Sequence, residues 1–501
     1  MSSSDAGRGR DIGAVILPEV RAAGAGAERA VVPPDAHLER FPPVGLVAFG
    51  RTAAGPVSPA PLLEAVRERC AALGLERPFA ACDLEQGAGL HFSEAGATRL
   101  PPALALAAAG EGWVRAAGER TAREARALGI ELVLAPVCDV NTRGDNPIIA
   151  ARAFGDDSAQ VAALAAAFLE GLHAGGAGGC AKHYPGHGDT QLDSHLQLPL
   201  VARGERELFE VELAPFRALA ARGVDAVMVA HLDVPALTGE PGLPTSLSPR
   251  ASATLRGELA FRGVVLSDAL DMGALRGARS LPARALAAGC DGLLCPSDPL
   301  AAAHALREAL ERGELARERL REAADRMRAL RASLFARPAL PPLAGGADWA
   351  AQAGARSLCR AGAWPWRAGA PCEVEAPFPP GQPDEVRALV ARLRGSLAGT
   401  TGAAGVLLPV ACEARAGAGR RGLSEAEVAD LRARIAARRE LGWPVAVAWL
   451  APPQWLPPGW WERPEVPLLV AFAPSPPMFE ALRRVLAGEA RPGGSLPCAP
   501  G

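Results

Sequence analysis

The sequence predicts a (β/α)8 TIM-type barrel followed by a smaller α/β sandwich domain. Three observations lead to this fold class. Short apolar runs alternate with helix-like segments, polar residues end most of these runs, and a Pro/Gly-rich stretch separates them from a second group of apolar runs. Continuous apolar runs are typical of parallel strands covered by helices on both faces. Seven or eight such units over roughly 300 residues fit a barrel.

A series of strand-like runs carries the barrel prediction. They are VGLVAFG (44–50), PFAACD (78–83), ELVLAPVCDV (131–140), GGCAKHY (178–184), DAVMVAHLDV (225–234), GVVLSDALD (263–271) and CDGLLCPSD (290–298). The polar residues assigned to their carboxyl ends are Asp83, Asp139, Lys182, His183, His231, Asp268, Asp291 and Asp298. In a barrel these ends meet at one mouth, where active sites are built. We therefore expect the polar side chains to gather there.

A Pro/Gly-rich linker divides the predicted domains. The stretch 299–336 is rich in Glu and Arg at helical spacing, which is typical of a solvated helix. The sequence ARPALPPLAGGA (336–347) then interrupts regular structure. We predict a barrel domain over 1–335, the linker over 336–347 and the second domain over 348–501.

The second domain repeats the alternation of strands and helices on a smaller scale. Its strand-like runs are AGVLLPVA (404–411), WPVAVAWL (443–450) and VPLLVAFA (466–473). Between the first two, Ser424 and Glu427 have the spacing of a capping box, which predicts that a helix begins there. The pattern indicates a small α/β sandwich, and its sequence contains no cluster of catalytic residue types.

The composition excludes several classes of protein. A formal net charge of -2 over 501 residues argues against a nucleic-acid partner. No stretch of about 18 uncharged apolar residues is present, so we expect no membrane span. The start, MSSSDAGRGRDIG, has no apolar run of signal-peptide length, and we expect a cytoplasmic protein. The ten cysteines form no CxxC pair, which indicates small buried hydrophobes rather than disulfides or zinc ligands.

The segment AKHYPGHGDTQLDSHLQLP (181–199) is the richest in chemistry. It holds three of the eight histidines, two aspartates and the only lysine of the chain, namely His183, His187, His195, Asp189, Asp193 and Lys182. Pro185 and Gly186 interrupt any helix, so a strand is expected to run into an exposed loop. Such a loop at a barrel mouth predicts a chemical site.

Three interpretations of this loop remain open from the residues alone. His183, His187 and His195 could ligate zinc with a carboxylate, although Pro185 and Gly186 prevent the helical face that brings such histidines together. Asp–His hydrogen bonds could also simply hold the loop in place. The third interpretation is acid/base catalysis, because the carboxylate of Asp193 can orient the imidazole of His195 and favour its charged form.

A second motif, VVLSDALDMGAL (264–275), places Asp268 at the end of an apolar strand. A carboxylate there would face the barrel mouth, whereas Asp271, further into the turn, would cap the following helix. A carboxylate nucleophile opposite a proton donor is the arrangement of double-displacement glycoside hydrolysis.

These motifs together resemble glycoside hydrolase family 3, in particular its β-N-acetylglucosaminidase branch. The resemblance rests on KHYPGHGDT with DSH and on SDALDM, and it covers most of residues 40–300. It includes NPIIAARAFGDD (146–157) and AHLDVPALTGEPGLPTSLSP (230–249). The downstream part, with FEALRRVLAGEARPGGSLP (479–497), is similar to a shortened form of the family's second domain.

The resemblance implies a role for each candidate residue. Asp268 would be the nucleophile, His195 the general acid/base and Asp193 its partner. The sugar hydroxyls would be bound by Asp83, Arg152, Lys182 and His183. One departure concerns the family's Asp-x-Glu-Gly-Gly-Arg run, which here reads Asp-Leu-Glu-Gln-Gly-Ala and ends on Ala88. The missing arginine predicts altered contacts near Asp83.

The implied activity is a retaining, exo-acting β-N-acetylhexosaminidase that removes terminal β-linked GlcNAc. Peptidoglycan fragments (muropeptides) in cell-wall recycling are the substrates that the resemblance implies, and no metal or other cofactor is expected. A β-N-acetylglucosaminide phosphorylase and a β-glucosidase remain as alternatives within the family, and a non-catalytic sugar-binding protein as one outside it. The natural aglycone and the oligomeric state are left open.

Overall fold

The computed structural model divides into two compact units. It describes residues 3–21, 31–52, 55–56, 58–190, 197–275, 280–365, 367, 369–397, 403–412 and 422–499. The first unit comprises Met1–Thr98, Arg115–Val140 and Val161–Ala344. The second comprises Arg99–Val114, Asn141–Gln160 and Gly345–Gly501. The second unit therefore includes two segments that precede residue 161 in the chain.

The described strands of the first unit form a parallel barrel and one separate antiparallel pair, Arg51–Thr52 with Gly55–Pro56. They are β1 (Ile16–Leu17), β2 (Glu19–Arg21), β3 (Gly45–Phe49), β4 (Arg51–Thr52), β5 (Gly55–Pro56), β6 (Phe79–Cys82), β7 (Leu132–Val133), β8 (Gly178–Tyr184), β9 (Ala226–Val229), β10 (Val264–Ser267) and β11 (Leu293–Leu294). The main sheet has the order β2-β3-β6-β7-β8-β9-β10. β1 pairs in parallel with β11, and Gly292 bridges to Leu266 of β10. Because only Pro18 separates β1 from β2, these pairings complete the ring and confirm the TIM-type fold.

Burial explains why these runs form strands. Every residue of β6, β8, β9 and β10 is buried, as expected where one face of a strand fills the barrel and the other lies under helices. The helices of the chain up to residue 336 are α1 (Ser3–Ala14), α2 (Asp35–Arg40), α3 (Ala60–Ala72), α4 (Gly89–Phe92), α5 (Ala103–Ala109), α6 (Glu111–Ala127), α7 (Ser158–Ala174), α8 (Glu205–Glu207), α9 (Ala214–Ala221), α10 (Pro235–Thr238), α11 (Pro249–Gly257), α12 (Leu281–Ala287), α13 (Pro299–Glu311) and α14 (Arg317–Ala336).

One of the polar residues expected at the mouth has another position. Asp291 precedes β11, so the prediction was wrong for this residue. It lies beside the start of β10, where its fully buried carboxylate accepts from the Val265 N–H at 3.0 Å and contacts three guanidinium groups, those of Arg256, Arg319 and Arg326. Asp298 caps α13 by accepting from the Ala301 N–H at 2.9 Å. The run 290–298 has an aspartate near each end. Only the bounds of β11 show which aspartate precedes the strand and which follows it.

The second unit has its own sheet and core, as the sequence predicted. Its strands are β12 (Cys359–Ala361), β13 (Glu373–Val374), β14 (Val406–Ala411), β15 (Val445–Leu450) and β16 (Leu468–Val470), in the order β12-β16-β15-β14-β13. Only β12 is antiparallel to its neighbour among these paired strands. The remaining helices are α15 (Gly346–Ser357), α16 (Asp384–Leu397), α17 (Glu425–Glu440) and α18 (Pro476–Leu486). The capping box of Ser424 and Glu427 opens α17, which confirms that prediction.

Two predictions from composition can be compared with the structure. All ten cysteines are buried and free, in agreement with their interpretation as small apolar side chains. Across the described residues, the helices are too short or too polar for any of them to cross a lipid bilayer.

A buried histidine of the first unit makes stability sensitive to acid. His37 of α2 is fully buried, and burial lowers the pKa of its imidazole to about 4 against the opposing charge of Asp298. Between pH 6.5 and 4 the unfolded chain binds a proton at this residue and the folded chain does not. The free energy of unfolding contributed by His37 is therefore complete above the ordinary pKa and is lost as the pH falls.

We predict that His37→Leu removes this part of the pH dependence. At about pH 5.5 the wild-type chain should be about 1.4 kcal/mol less stable than at neutral pH on account of His37, and the variant should lack this difference. Urea unfolding of both proteins at about pH 7.5 and about pH 5.5 measures it. An equal loss of stability in both proteins would contradict the assignment.

Candidate active site

Polar side chains from neighbouring strands meet at the carboxyl ends of the barrel strands. Asp83 follows β6, Lys182 and His183 lie near the end of β8, His231 comes two residues after β9, and Asp268 follows β10. The strands are parallel and adjacent in the sheet, so their carboxyl ends share one mouth. The structure thus brings together Asp83, Lys182, His183 and Asp268, as the sequence predicted.

Lys182 lies between two carboxylates. Its side chain is 2% exposed, and Nζ is 2.5 Å from Asp83 Oδ1 and 2.6 Å from Glu85 Oε1. A buried ammonium group needs such partners, and two of them fix its position as well as its charge. No role for Glu85 was predicted from the sequence. The sequence feature that could have indicated this contact is its spacing, since Glu85 is the third residue of the run that begins with Asp83.

Asp139 organises the chain that follows Lys182. This carboxylate is fully buried and accepts three hydrogen bonds, from His183 Nδ1 at 2.7 Å, from the His187 N–H at 2.7 Å and from the His183 N–H at 3.3 Å. Burial favours its neutral form, but the interactions with the two histidines outweigh burial and hold the pKa of Asp139 below its usual value. An ionised Asp139 therefore orients the His183 ring with Nδ1 protonated.

The start of the His-rich loop is ordered by a second histidine. The Thr190 hydroxyl donates to the His187 carbonyl at 2.9 Å and is 2.6 Å from His187 Nδ1. Since a hydroxyl has one proton, His187 Nδ1 donates to the Thr190 oxygen in this arrangement. His187 is buried, and its ring centroid lies 6.1 Å from that of His183. In the described structure, the contacts of His187 with Thr190 hold the start of the loop in place.

Asp268 has the environment of an ionised carboxylate. It is partly exposed, and its Oδ1 accepts from the Ala269 N–H at 2.8 Å. Burial alone would raise its pKa, but the electrostatic influence of His231 and His183, together with the Ala269 N–H and Lys182, holds the pKa of Asp268 below its usual value. The carboxylate is thus anionic at neutral pH, as a nucleophile requires.

His231 supports the turn that carries Asp268. Its Nε2 lies 3.1 Å from the Ala269 carbonyl, which can only accept, so Nε2 carries a proton. Its Nδ1 lies 2.7 Å from the Ser246 hydroxyl. Burial lowers the pKa of His231, and the nearby charge of Asp268 opposes this shift. The sequence had placed His231 at the mouth without assigning it this contact.

The remaining predicted site residues are Asp193, His195 and Arg152. Asp193 and His195 lie outside the described residues. Arg152 belongs to the second unit, where it ends the short helix Ala150–Arg152 and donates to the Ile148 carbonyl at 3.3 Å. Ala88, which replaces the family's arginine, is fully buried at the start of α4.

The charge of the cluster favours a cationic reaction centre. The carboxylates of Asp83, Glu85, Asp139 and Asp268 outnumber the ammonium group of Lys182. Such an excess of negative charge would favour positive charge that develops on a bound substrate. Within the described ranges, no group of three or more His, Cys, Asp or Glu side chains is arranged to hold a metal ion.

Comparison with known proteins identifies the family of this chain. The family model described as "Glycosyl hydrolase family 3 N terminal domain" matches residues 44–330. A Beta-hexosaminidase of Pseudomonas aeruginosa (strain LESB58) is 37% identical over 270 residues, which cover 52% of this chain and 78% of that protein. A Beta-hexosaminidase of Stenotrophomonas maltophilia (strain R551-3) is 38% identical over 268 residues, with 50% and 75% covered.

A solved structure extends the likeness over the whole chain. The glycoside hydrolase family 3 beta-N-acetylglucosaminidase from Paenibacillus sp. str. FPU-7 is 26% identical, with a TM-score of 0.77 and 98% of each chain covered. The family match spans more than half of the chain and includes the cluster at the barrel mouth. The chain therefore belongs to glycosyl hydrolase family 3 and is a glycoside hydrolase with a TIM-type barrel and a smaller α/β sandwich domain.

Proposed function

We propose that the protein is a retaining, exo-acting β-N-acetylhexosaminidase that hydrolyses terminal β-linked GlcNAc by double displacement. The observation that carries this proposal is the ionised Asp268 at the barrel mouth, beside Lys182 and the oriented ring of His183. The names of the relatives support the amino-sugar substrate, since the two curated proteins are described as Beta-hexosaminidase and the solved structure as a beta-N-acetylglucosaminidase.

Asp268 would attack the anomeric carbon as the glycosidic bond breaks. His195, protonated and oriented by Asp193, would donate its proton to the departing oxygen, and a glycosyl–Asp268 ester would form. Water, deprotonated by the then neutral imidazole, would attack the same carbon from the opposite face and release the sugar. Because two inversions occur, the product keeps the β configuration. The roles of Asp193 and His195 rest on the sequence motif.

The remaining predicted residues would bind the sugar. Asp83 can accept hydrogen bonds from hydroxyl groups, and Lys182 can donate them. Since Asp139 fixes the His183 ring, Nε2 is the ring atom through which His183 would contact a hydroxyl group. Arg152 would be a further donor. The fixed positions of Lys182 and His183 reduce the entropy that is lost on binding and hold the anomeric carbon toward Asp268.

The physiological setting follows from the same proposal. A hydrolase of this specificity in the cytoplasm would remove GlcNAc from peptidoglycan fragments during cell-wall recycling. Muropeptides are therefore the natural substrates that we propose, with no cofactor required.

A panel of substrates tests the proposal. The 4-nitrophenyl glycosides of β-GlcNAc and β-glucose should differ in kcat/KM by at least about 10-fold in favour of β-GlcNAc. Proton NMR of the early reaction should show the β anomer as the first product. Preferred hydrolysis of the glucoside, or release of the α anomer, would contradict the proposed activity.

The phosphorylase alternative is tested in the same assay. A histidine acid/base carries no negative charge when it is neutral, so it repels phosphate less than a carboxylate would. We expect that added phosphate leaves the rate unchanged and that free GlcNAc is the only sugar product. A GlcNAc 1-phosphate product would show instead that phosphate replaces water.

A further inference from the structure

A charged cluster lies beneath the His-rich loop and has no role in the proposed chemistry. Arg203 Nε is 3.0 Å from Glu212 Oε1 and 3.6 Å from Asp189 Oδ2, and its guanidinium also pairs with Glu207. The Glu212 side chain is fully buried, and that of Arg203 is 10% exposed. A buried guanidinium group between carboxyl groups from two chain segments fixes these segments relative to each other.

The loop backbone rests directly on Glu212. Gly186 has a φ of 135°, and a Cβ at this position would lie 2.4 Å from Glu212 Oε2 and 2.9 Å from Glu212 Cβ. No other residue type fits without moving the carboxylate. The next residue, His187, donates its N–H to Asp139. The loop is thus held between Glu212 below and Asp139 beside it.

The chain on both sides of residues 191–196 is anchored. Before the segment, Asp189 contacts Arg203, and the Thr190 hydroxyl donates a hydrogen bond to the His187 carbonyl. On the other side, the Val201 N–H donates to the Asp233 carbonyl at 2.9 Å, and Arg203 follows two residues later. Arg203 lies in the chain that follows this segment and contacts Asp189 in the chain that precedes it. The two ends of the segment are therefore connected.

We propose that Arg203, seated on Glu212, is a positioning residue for the loop that leads to the proposed acid/base. The proposal rests on the proposed function, because only then does the segment after Thr190 carry the proton donor. Arg203 fixes Asp189 and the backbone at Gly186, so its removal loosens the approach to the donor and leaves Asp268 and its contacts with Ala269 unchanged.

The electrostatics of Glu212 make the test feasible. Burial and the neighbouring charges of Asp139 and Asp189 raise the pKa of Glu212 to about 8, in opposition to Arg203. When Arg203 is replaced, Glu212 can remain protonated at neutral pH, so no unpaired charge is left buried. Arg203→Met is therefore expected to fold.

The experiment compares two substrates that need different degrees of protonation. The 4-nitrophenolate of 4-nitrophenyl β-GlcNAc leaves readily, whereas N,N′-diacetylchitobiose has a poor leaving group. We expect Arg203→Met to lower kcat for chitobiose about 100-fold and kcat for the nitrophenyl glycoside less than about 10-fold, with little change in KM. Arg203→Lys, which keeps the charge without the planar fork, should show a smaller loss of the same kind.

Arg206→Met is the matched control. Arg206 lies on α8, its side chain is 88% exposed, and it pairs with Glu210 at 2.8 Å. This variant should match the wild type on both substrates.

Equal losses on both substrates in the Arg203 variants, or no loss, would overturn the positioning role. Circular dichroism confirms that each variant is folded. If Arg203→Met does not fold, Arg203→Lys and Arg203→Met/Glu212→Gln give the same comparison. A wild-type enzyme that cleaves neither substrate would refute the proposed function instead.

Discussion

Replacement of Asp268 by asparagine is expected to lower the turnover of 4-nitrophenyl β-GlcNAc by at least about 1,000-fold. The amide is nearly the same size but is not a nucleophile, so the first displacement cannot take place. The loss should be present even with this good leaving group, because a leaving group that needs no proton still needs an attacking carboxylate. Steady-state kinetics of the purified variant provide the measurement.

A chemical rescue makes this test specific to the nucleophile. In Asp268→Ala, added azide can occupy the space of the carboxylate and attack the anomeric carbon once, which gives the α-glycosyl azide. Asp298→Asn is the matched control, since Asp298 is exposed and caps α13, and this variant should keep wild-type turnover. Full activity of Asp268→Asn, or rescue that yields the β-azide, would contradict the role of Asp268.

Replacement of Asp139 by asparagine is expected to lower kcat/KM by about 100-fold or more. The carboxylate accepts from the His183 ring and from two backbone N–H groups, whereas an amide presents an NH2 group to one of these donors. His183 would then lose its protonated Nδ1 or its orientation, and the loop at His187 would lose an anchor. Kinetics on 4-nitrophenyl β-GlcNAc measure the loss.

The chain offers an Asp–His pair elsewhere as a control for Asp139. Asp225 precedes β9 at the opposite end of the strands, and its Oδ2 lies 2.8 Å from His173 Nε2. Asp225→Asn removes the same kind of interaction and should reduce the stability of the fold but not the turnover of the folded enzyme. If both variants lost activity in proportion to their stability, Asp139 would have only a structural role.

The sequence predicts the barrel well where hydrophobic runs are uninterrupted. GGCAKHY (178–184) forms β8 over its whole length because every residue of this strand is buried. The run 131–140 forms only the short strand Leu132–Val133, since Pro136 has no N–H for the sheet. The first strands of the barrel were not predicted, because each is only two or three residues long and Pro18 separates them.

The site was predicted less completely than the fold. Residue type and strand position suffice to predict that Asp83, Lys182, His183 and Asp268 lie at the same end of the barrel. The contact of Glu85 with Lys182 and the three hydrogen bonds of Asp139 depend on distances between strands that are far apart in sequence, and no local pattern encodes these distances. Asp291 shows the reverse case, in which an aspartate beside an apolar run lies at the wrong end of its strand for catalysis.

The most direct measurement is to trap the glycosyl–enzyme intermediate. A fluorinated β-GlcNAc donor that reacts quickly in the first step and slowly in the second should inactivate the enzyme and add one sugar per chain. Mass spectrometry of the digested protein should then locate the ester on Asp268 in the peptide that contains VVLSDALDM. A sugar ester on a different residue, or reaction of such a donor with turnover and no covalent adduct, would contradict the assignment of Asp268 as the nucleophile.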